Sequence, residues 1–293
     1  MGFIFKKIAI IGTHNNPAVA ETVDYLVHIL IKHVRIYLEF ETAQSLGKPF
    51  NHYDLKAIAK HCDIAIIVGG DGNFLNAARN LSLLSNIPIV GINQGRLGFL
   101  TDINPDQLIT RLFDVLEGNY QQEQRFMLKA SIRSDVYPPE KTVALNDIVI
   151  AAGQDSRLFH MHVHVDGRYA FDQHADGMII STPTGSTAHA LSAGGPIMHP
   201  ELDAIVMVPM FSHSLNSRPI VLNANCDIQV TIGEYNNPEP SLSFDGHIKL
   251  KLSPGDTIKF SRCPKSVNIL HPQDYDYFDS LRSKLDWGKM LFS

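Results

Sequence analysis

The sequence predicts an α/β N-terminal domain with a parallel sheet, an all-β sandwich C-terminal domain, and a helical tail that packs back on the first domain. Three observations predict it. An unbroken aliphatic run, Ile64-Ala65-Ile66-Ile67-Val68, ends in Gly69-Gly70, the pattern of a strand buried on both faces of a parallel sheet. Strand-like and helix-like segments alternate around it, as crossover connections require. From about residue 120 the texture changes to short strands broken by turn signals.

Taken in order, residues 8–11 read as the first strand, leading into the loop Gly12-Thr13-His14-Asn15-Asn16. Pro17 suits a first helical position with Asn16 as its cap. Val19, Val23, Leu26, Val27 and Leu30 then make one apolar helical face. Residues 34–38 and 64–68 are the second and third strands, a helix begins near Asn73, and residues 87–92 form the next strand. Asn104-Pro105 opens a further helix that ends near Gly118, with Leu108, Leu112, Val115 and Leu116 facing inward. In the second half, residues 159–169 read as a hairpin turning at Asp166-Gly167. Residues 241–251 repeat that pattern at Asp245-Gly246, and Pro254-Gly255-Asp256 marks the next turn. Residues 275–287 return to helical spacing. The expected division is 1–120 as the α/β domain, with 271–293 returning to it, and 121–270 as the sandwich.

At 293 residues the chain is long enough for two domains. Its 44% hydrophobic and 19% charged content is that of an ordinary globular protein, and a net charge of -5 without a Lys/Arg cluster argues against a nucleic-acid partner. Cys62, Cys226 and Cys263 are far apart and form no Cys-x-x-Cys pair, which disfavours a disulfide framework or thiolate zinc site and fits a reducing cytoplasm. The apolar start of the chain is too short for a signal core, and Lys6 stands where a myristoylation signal needs Ser or Thr. No run approaches bilayer-spanning length. The expectation is a cytosolic protein without a membrane partner.

Three segments carry chemistry. Gly69-Gly70-Asp71-Gly72-Asn73 follows the buried strand directly. Glycines there allow a sharp turn and close approach of a ligand, and the helix that follows offers free N–H groups to phosphate. Asp71 is then placed to act as a base or to meet metal-bound phosphate; the same residues also suit a plain tight turn. The second segment runs from Asp176 to Pro196, where a short strand at 178–180 enters a loop dense in Ser, Thr and Gly. Hydroxyl and N–H donors suit phosphate and ribose, although such loops are also ordinarily exposed. The third is Asn146-Asp147 ahead of an apolar strand, a pair able to read donor and acceptor edges of a ligand.

Together these segments resemble the NAD kinase family over nearly the whole chain. The resemblance rests on Gly69-Gly70-Asp71-Gly72, on the run from Gly91 through Gln94-Gly95-Arg96-Leu97-Gly98 to Thr101, on Asn146-Asp147, and on the loop from Thr182 to Pro196. The last is the most specific, because diacylglycerol-type lipid kinases and phosphofructokinases share the first. Asn73 stands where many members have Thr, as in the gamma-proteobacterial branch, and His189 where many have Tyr.

The resemblance implies transfer of the γ-phosphoryl of ATP to the 2′-hydroxyl of the adenosine ribose of NAD, giving NADP. By that likeness Asp71 is the general base, with a divalent ion, Mg²⁺ first among candidates, neutralising the phosphates. Gly72 would lie against the ribose, Asn146 and Asp147 on adenine or ribose edges, and Asp176 at the nicotinamide end. Thr187, Ala188, His189, Ala190, Leu191 and Ser192 would line the dinucleotide. Arg157, His174 and His247 match ligand-contact positions of the β domain or a neighbouring subunit, with an exposed loop role as the alternative. Family likeness also implies a homo-oligomer, dimeric or tetrameric.

A lipid or sugar kinase shares the Gly-Gly-Asp-Gly strand end, and a non-catalytic nucleotide-binding regulator is the alternative of another class. Ser186 and His189 lack a G-x-S-x-G elbow, which disfavours a hydrolase. The first strand lacks G-x-G-x-x-G, which disfavours a Rossmann oxidoreductase. His160, His162 and His164 alternate along one strand and share a face. With no carboxylate or cysteine arranged to complete a ligand set, an exposed polar face is the expectation there, and no metal ligand is assigned.

Overall fold

Strand periodicity decides the first half of the molecule: β-branched and aliphatic runs without polar interruption need a sheet covered on both faces. The computed structural model describes residues 2–12, 16–47, 49–95, 98–134, 136, 140–152, 158–214, 216–233 and 240–288. The chain divides into two compact units, Met1–Gln124 with Val267–Ser293, and Arg125–Ser266.

In chain order the first unit contains β1 (Lys7–Gly12), α1 (Pro17–Leu30), β2 (Arg35–Glu39), α2 (Phe40–Ser45), β3 (His52–Tyr53), α3 (Leu55–His61), β4 (Ile64–Val68), α4 (Asp71–Leu84), β5 (Ile89–Ile92) and α5 (Phe113–Glu117). The strands lie in the order β5-β4-β1-β2-β3 and every pair is parallel. The order reverses between β1 and β4, so their carboxyl ends open the crevice where α/β sheets of this kind take ligands. All five residues of β4 are buried, and α1 buries Val19, Val23, Leu26, Val27 and Leu30 on the sheet. Its start is the one read from sequence: Pro17 enters first and the Asn16 side chain accepts from the Ala18 N–H at 3.1 Å. Thr13, His14 and Asn15 of that loop lie outside the described residues. Residues 105–117 pass through a 3₁₀ turn, a π turn and then α5 before Gly118 ends the run at φ 104°. Leu108, Leu112, Val115 and Leu116 all face the core.

The second unit holds β6 (Tyr120–Arg133), which enters it at Arg125, β7 (Glu140–Ala144), β8 (Asp147–Ala151), β9 (Phe159–Val165), β10 (Arg168–Ala175), β11 (Gly177–Ser181), α6 (His189–Ser192), β12 (Ala204–Met210), β13 (Ile220–Asn223), β14 (Ile228–Ile232), β15 (Ser241–Phe244) and β16 (Ile248–Lys251). β17 (Thr257–Pro272) pairs with β14 through Thr257–Phe260, and its Ile269 pairs with Ile89 in the first unit's sheet. α7 (Tyr277–Leu285) belongs to the first unit. One antiparallel sheet runs β13-β12-β11-β8-β15-β16, and β10-β9-β14-β17 with β6 and β7 forms the other. One core lies between them, with Ile148, Met178 and Met207 from the first facing Met161, Val230 and Phe260 from the second. This is the expected sandwich. Both Asp-Gly hairpins are present, with Asp166 and Gly167 at φ 49° and 73° and Asp245 and Gly246 at φ 48° and 71°, the left-handed pair that such turns require.

The three cysteines are free and buried. Burial pushes the Cys62 thiol up to about 12, so it stays protonated and unreactive. No helix among the described residues is long and apolar enough to cross a membrane.

Candidate functional site

Asp71 is the first residue of α4, two positions earlier than the sequence suggested, because Gly70 takes an extended conformation (φ -78°, ψ 176°) and serves as the cap without a side chain. The carboxylate is half-buried and held from one side. The N–H of Phe99 donates to Oδ2 at 2.9 Å; the N–H of Leu100 and the hydroxyl of Thr101 donate to Oδ1 at 3.2 and 3.1 Å. A carboxylate offers about four acceptor positions, so one lone pair, on Oδ2, is not used by these three donors. Gly98 has to be glycine here: a Cβ would lie 2.0 Å from Asp71 Oδ1 and 2.3 Å from Thr101 Oγ1. Asn93 braces the same loop, donating from Nδ2 to the Thr101 carbonyl at 3.3 Å and accepting at Oδ1 from the Gly95 N–H at 3.0 Å. Thus the run from Gly91 to Thr101 is the support of Asp71. Arg96 and Leu97 within it lie outside the described residues. Gly72 is exposed beside Asp71, and a Cβ on it would meet nothing within 4 Å.

The loop's next residue is tied down as well. Asp102 Oδ2 is 2.9 Å from His271 Nδ1, and the other ring nitrogen is 3.1 Å from Glu123 Oε2. Burial disfavours charge on this imidazole, but hydrogen bonds to Asp102 and Glu123 outweigh it and raise the pKa above the ordinary value.

The second unit builds a cradle around Asn146-Asp147. The Asp245 carboxylate accepts from three successive backbone N–H groups: Leu145 at 3.0 Å, Asn146 at 2.8 Å and Asp147 at 3.3 Å. Such a nest of N–H groups is an anion site, filled here by the protein's own carboxylate. From the other side, the Thr182 hydroxyl donates to the Leu145 carbonyl at 2.6 Å and its N–H to the Asn146 carbonyl at 2.9 Å. A Cβ on Gly185 would sit 2.3 Å from that Asn146 carbonyl oxygen, so the glycine permits the close approach. Residues 181–186 are buried, which answers the alternative of an exposed flexible loop for this part of the segment.

Two groups emerge from the cradle. Asn146 Oδ1 is buried with no hydrogen-bond partner among the described residues. The Asp147 carboxylate, 1% exposed, lies 3.2 Å from Nδ1 of His189, whose side chain is 62% exposed. The hydrogen bond to Asp147, then its charge, raises the His189 pKa. A cavity of about 700 Å³ opens beside His189 and Ser192, lined also by Val149, Ile179, Met210 and Gly246.

The predicted site residues therefore fall into groups. Asn146, Asp147 and His189 come together. Thr187, Ala188 and Leu191 are half-buried and Ser192 exposed on the same segment, whereas Ala190 is wholly buried and packs with Ile179, Met198, Val206 and Val208. Asp176 is half-buried at the start of β11, its backbone bonded to Met210 and Ala152. His247 is exposed in the turn that begins with Asp245. His174 is exposed on β10, its ring stacked on that of His160 at 4.3 Å. Arg157 lies outside the described residues.

Sequence reasoning missed Asp245, read only as a hairpin turn, and the role of the Phe99 and Leu100 N–H groups. One expectation is corrected. A carboxylate does accompany the histidine strand: Asp172 Oδ1 is 2.8 Å from His162 Nδ1, and Asp172 Oδ2 is 3.6 Å from His160 Nε2. A bulge between Tyr169 and Phe171 sets this up, since it shifts the register so that Asp172, not Phe171, faces His162. Burial and the neighbouring His162 and His174 lower the pKa of His160.

A parallel sheet with a backbone-held acid at its switch point, followed by a sandwich with a polar cradle, is an arrangement suited to phosphoryl transfer. The family models for the ATP-NAD kinase N-terminal domain and C-terminal domain match residues 8–120 and 145–272. The chain is 46% identical over 297 residues to the NAD kinase of Francisella tularensis subsp. novicida (strain U112), covering 100% of both chains. It is 43% identical to the NAD kinase of Pseudomonas syringae pv. syringae (strain B728a), covering 98% of this chain and 97% of that one. Among solved structures, yeast NADH kinase complexed with NADH matches with TM-score 0.90 at 23% identity, over 97% of this chain and 88% of that one. An NAD kinase from Archaeoglobus fulgidus in complex with ATP matches with TM-score 0.75 at 23% identity, over 94% of this chain and 99% of that one. The chain belongs to the NAD kinase family.

Proposed function

We propose that this chain transfers the γ-phosphoryl group of ATP to the 2′-hydroxyl of the adenosine ribose of NAD, producing NADP. The observation that carries the reading is the Asp71 carboxylate, held by Phe99, Leu100 and Thr101 with one lone pair left on Oδ2. An acid fixed in this way can accept the ribose 2′-hydroxyl proton as that oxygen attacks, without reorganising at the moment of reaction. Phosphoryl transfer asks mainly for positioning and charge neutralisation, and the Gly98–Thr101 clamp supplies the positioning.

In this reading residues 1–120 with 271–293 carry the transfer machinery and 121–270 recognise the dinucleotide. The unpartnered Asn146 Oδ1 is an acceptor for an N–H or O–H donor on the adenine or ribose. Gly72, open to solvent beside Asp71, leaves room for a sugar. Asp176, Arg157, His174, His247 and the 187–192 segment complete the NAD contacts.

Mg²⁺ fits this chain as a partner of ATP: it takes phosphate oxygens and keeps its waters, and with the spare lone pair of Asp71 Oδ2 given to the ribose hydroxyl the ion would be held by the phosphates and those waters. When bound it spreads the charge of the β- and γ-phosphates. The site acts in a cytoplasmic homo-oligomer, dimeric or tetrameric by family likeness.

The test is incubation with ATP, Mg²⁺ and NAD, with product read by an NADP-specific dehydrogenase. NADP formation is expected. Phosphorylation of a lipid or sugar with no NADP, or NAD binding without turnover, overturns the reading.

A further inference from the structure

We propose that His160, His162 and Asp172 form a binding site for a divalent transition-metal cation of the zinc class on the β9–β10 hairpin. The inference stands on the geometry of this hairpin and does not depend on the phosphoryl-transfer reading.

His160 and His162 alternate along β9, so their rings share a face, with centroids 4.2 Å apart. The β10 register puts Asp172 directly across from His162. One ligand atom from each of the three groups lies within 4.8 Å of the others, with Asp172 oxygens 2.8 Å from His162 Nδ1 and 3.6 Å from His160 Nε2. Ligands about 2.0–2.1 Å from a tetrahedral zinc ion are separated by roughly 3.4 Å, so these atoms lie close to a coordinating arrangement and small rotations of three partly exposed side chains complete it. Asp172 is the group that bridges the two rings. A hairpin face exposed only for solubility needs polar residues, but it does not need a bulge that aims the one carboxylate at two imidazoles.

The donor set also selects the ion. Two imidazoles with one carboxylate suit zinc, cobalt, nickel or copper and are too soft for Mg²⁺ or Ca²⁺. Three protein ligands leave a fourth position for water or an anion. The His174 ring stacks on that of His160 with an interplanar angle of 4°.

The experiment uses the full chain stripped of metal with EDTA, dialysed, and titrated with zinc chloride by calorimetry and with cobalt(II) by visible absorption. One equivalent per chain is expected, weakened at least about tenfold by His162→Asn or Asp172→Asn, since even outer-shell losses at metal sites cost that much. Because a variant can lose its fold, imidazole NMR of the unaltered chain is a second readout, and zinc should perturb the His160 and His162 resonances. Absence of saturable zinc binding by the unaltered chain overturns the proposal. So does binding that leaves those resonances unmoved, or binding that is the same in the folded variants.

Discussion

Asp245 Oδ1 lies 2.8 Å from the backbone nitrogen of Asn146, a residue 99 positions away. The same carboxylate takes the N–H groups of Leu145 and Asp147, so one side chain sets the backbone of the whole Asn146-Asp147 pair. Asp245 touches no reacting atom in this account; it is a positioning residue for the pair.

Replacing it with asparagine turns an amide N–H₂ toward donors. Leaving buried N–H groups unsatisfied costs about 1–3 kcal/mol, which corresponds to roughly 5- to 150-fold. Asp245→Asn is expected to raise the KM for NAD within that range while kcat changes less, and to lower the melting temperature. Steady-state kinetics checks it; an unchanged KM removes Asp245 from substrate recognition.

Gly98→Ala keeps the Asp71 residue but displaces its carboxylate and its support. The added Cβ needs space 2.0 Å from Asp71 Oδ1, so the clamp has to open. Misplacement by about 1 Å can cost a factor on the order of 10² in rate, and that loss is expected in kcat with NAD affinity largely retained. Turnover near that of the parent chain shows that the clamp does not position the base.

The His189–Asp147 pair predicts a titration. The hydrogen bond and charge of Asp147 hold the imidazole above its ordinary 6.5. The protonated pair therefore contributes fully below about 6.5 and is lost as pH rises through the raised value. NMR of the ring should show this raised midpoint, and Asp147→Asn should bring it back down. A midpoint unchanged by that substitution removes Asp147 as the cause.

His271 makes the same argument for stability. Its ring is 1% exposed between Asp102 and Glu123, with Tyr275 stacked on it at 3.9 Å and Arg111 donating to the Asp102 carbonyl at 3.3 Å. With the folded pKa raised, its contribution is present below the unfolded value, near 6.5, and lost as pH rises through the folded one. The melting-temperature difference between the parent chain and His271→Asn is expected to be largest at mildly acidic pH and to shrink toward alkaline pH. A difference that grows with pH contradicts it.

Much of this was legible because local chemistry dictates it. The five-residue β4, the Asn16-Pro17 helix start and the Asp-Gly hairpins each depend on neighbours in sequence. Short elements were not: α2 buries only Thr42 and Ala43, and α3 only Ile58, too few positions to show a period. The Asp245 cradle and the Asp172 bridge were hidden for another reason. Each depends on pairing between strands, and in the hairpin a single bulge decides which residue faces the histidines. A linear spacing carries no sign of that shift.

The most direct test of the Asp71 assignment compares the parent chain with Asp71→Asn in single-turnover NADP formation, alongside calorimetric NAD binding to each. Loss of a general base predicts a fall of roughly 10²–10⁴ in the chemical step with NAD affinity little changed. A chemical step of near-parent rate in the substituted chain contradicts the account.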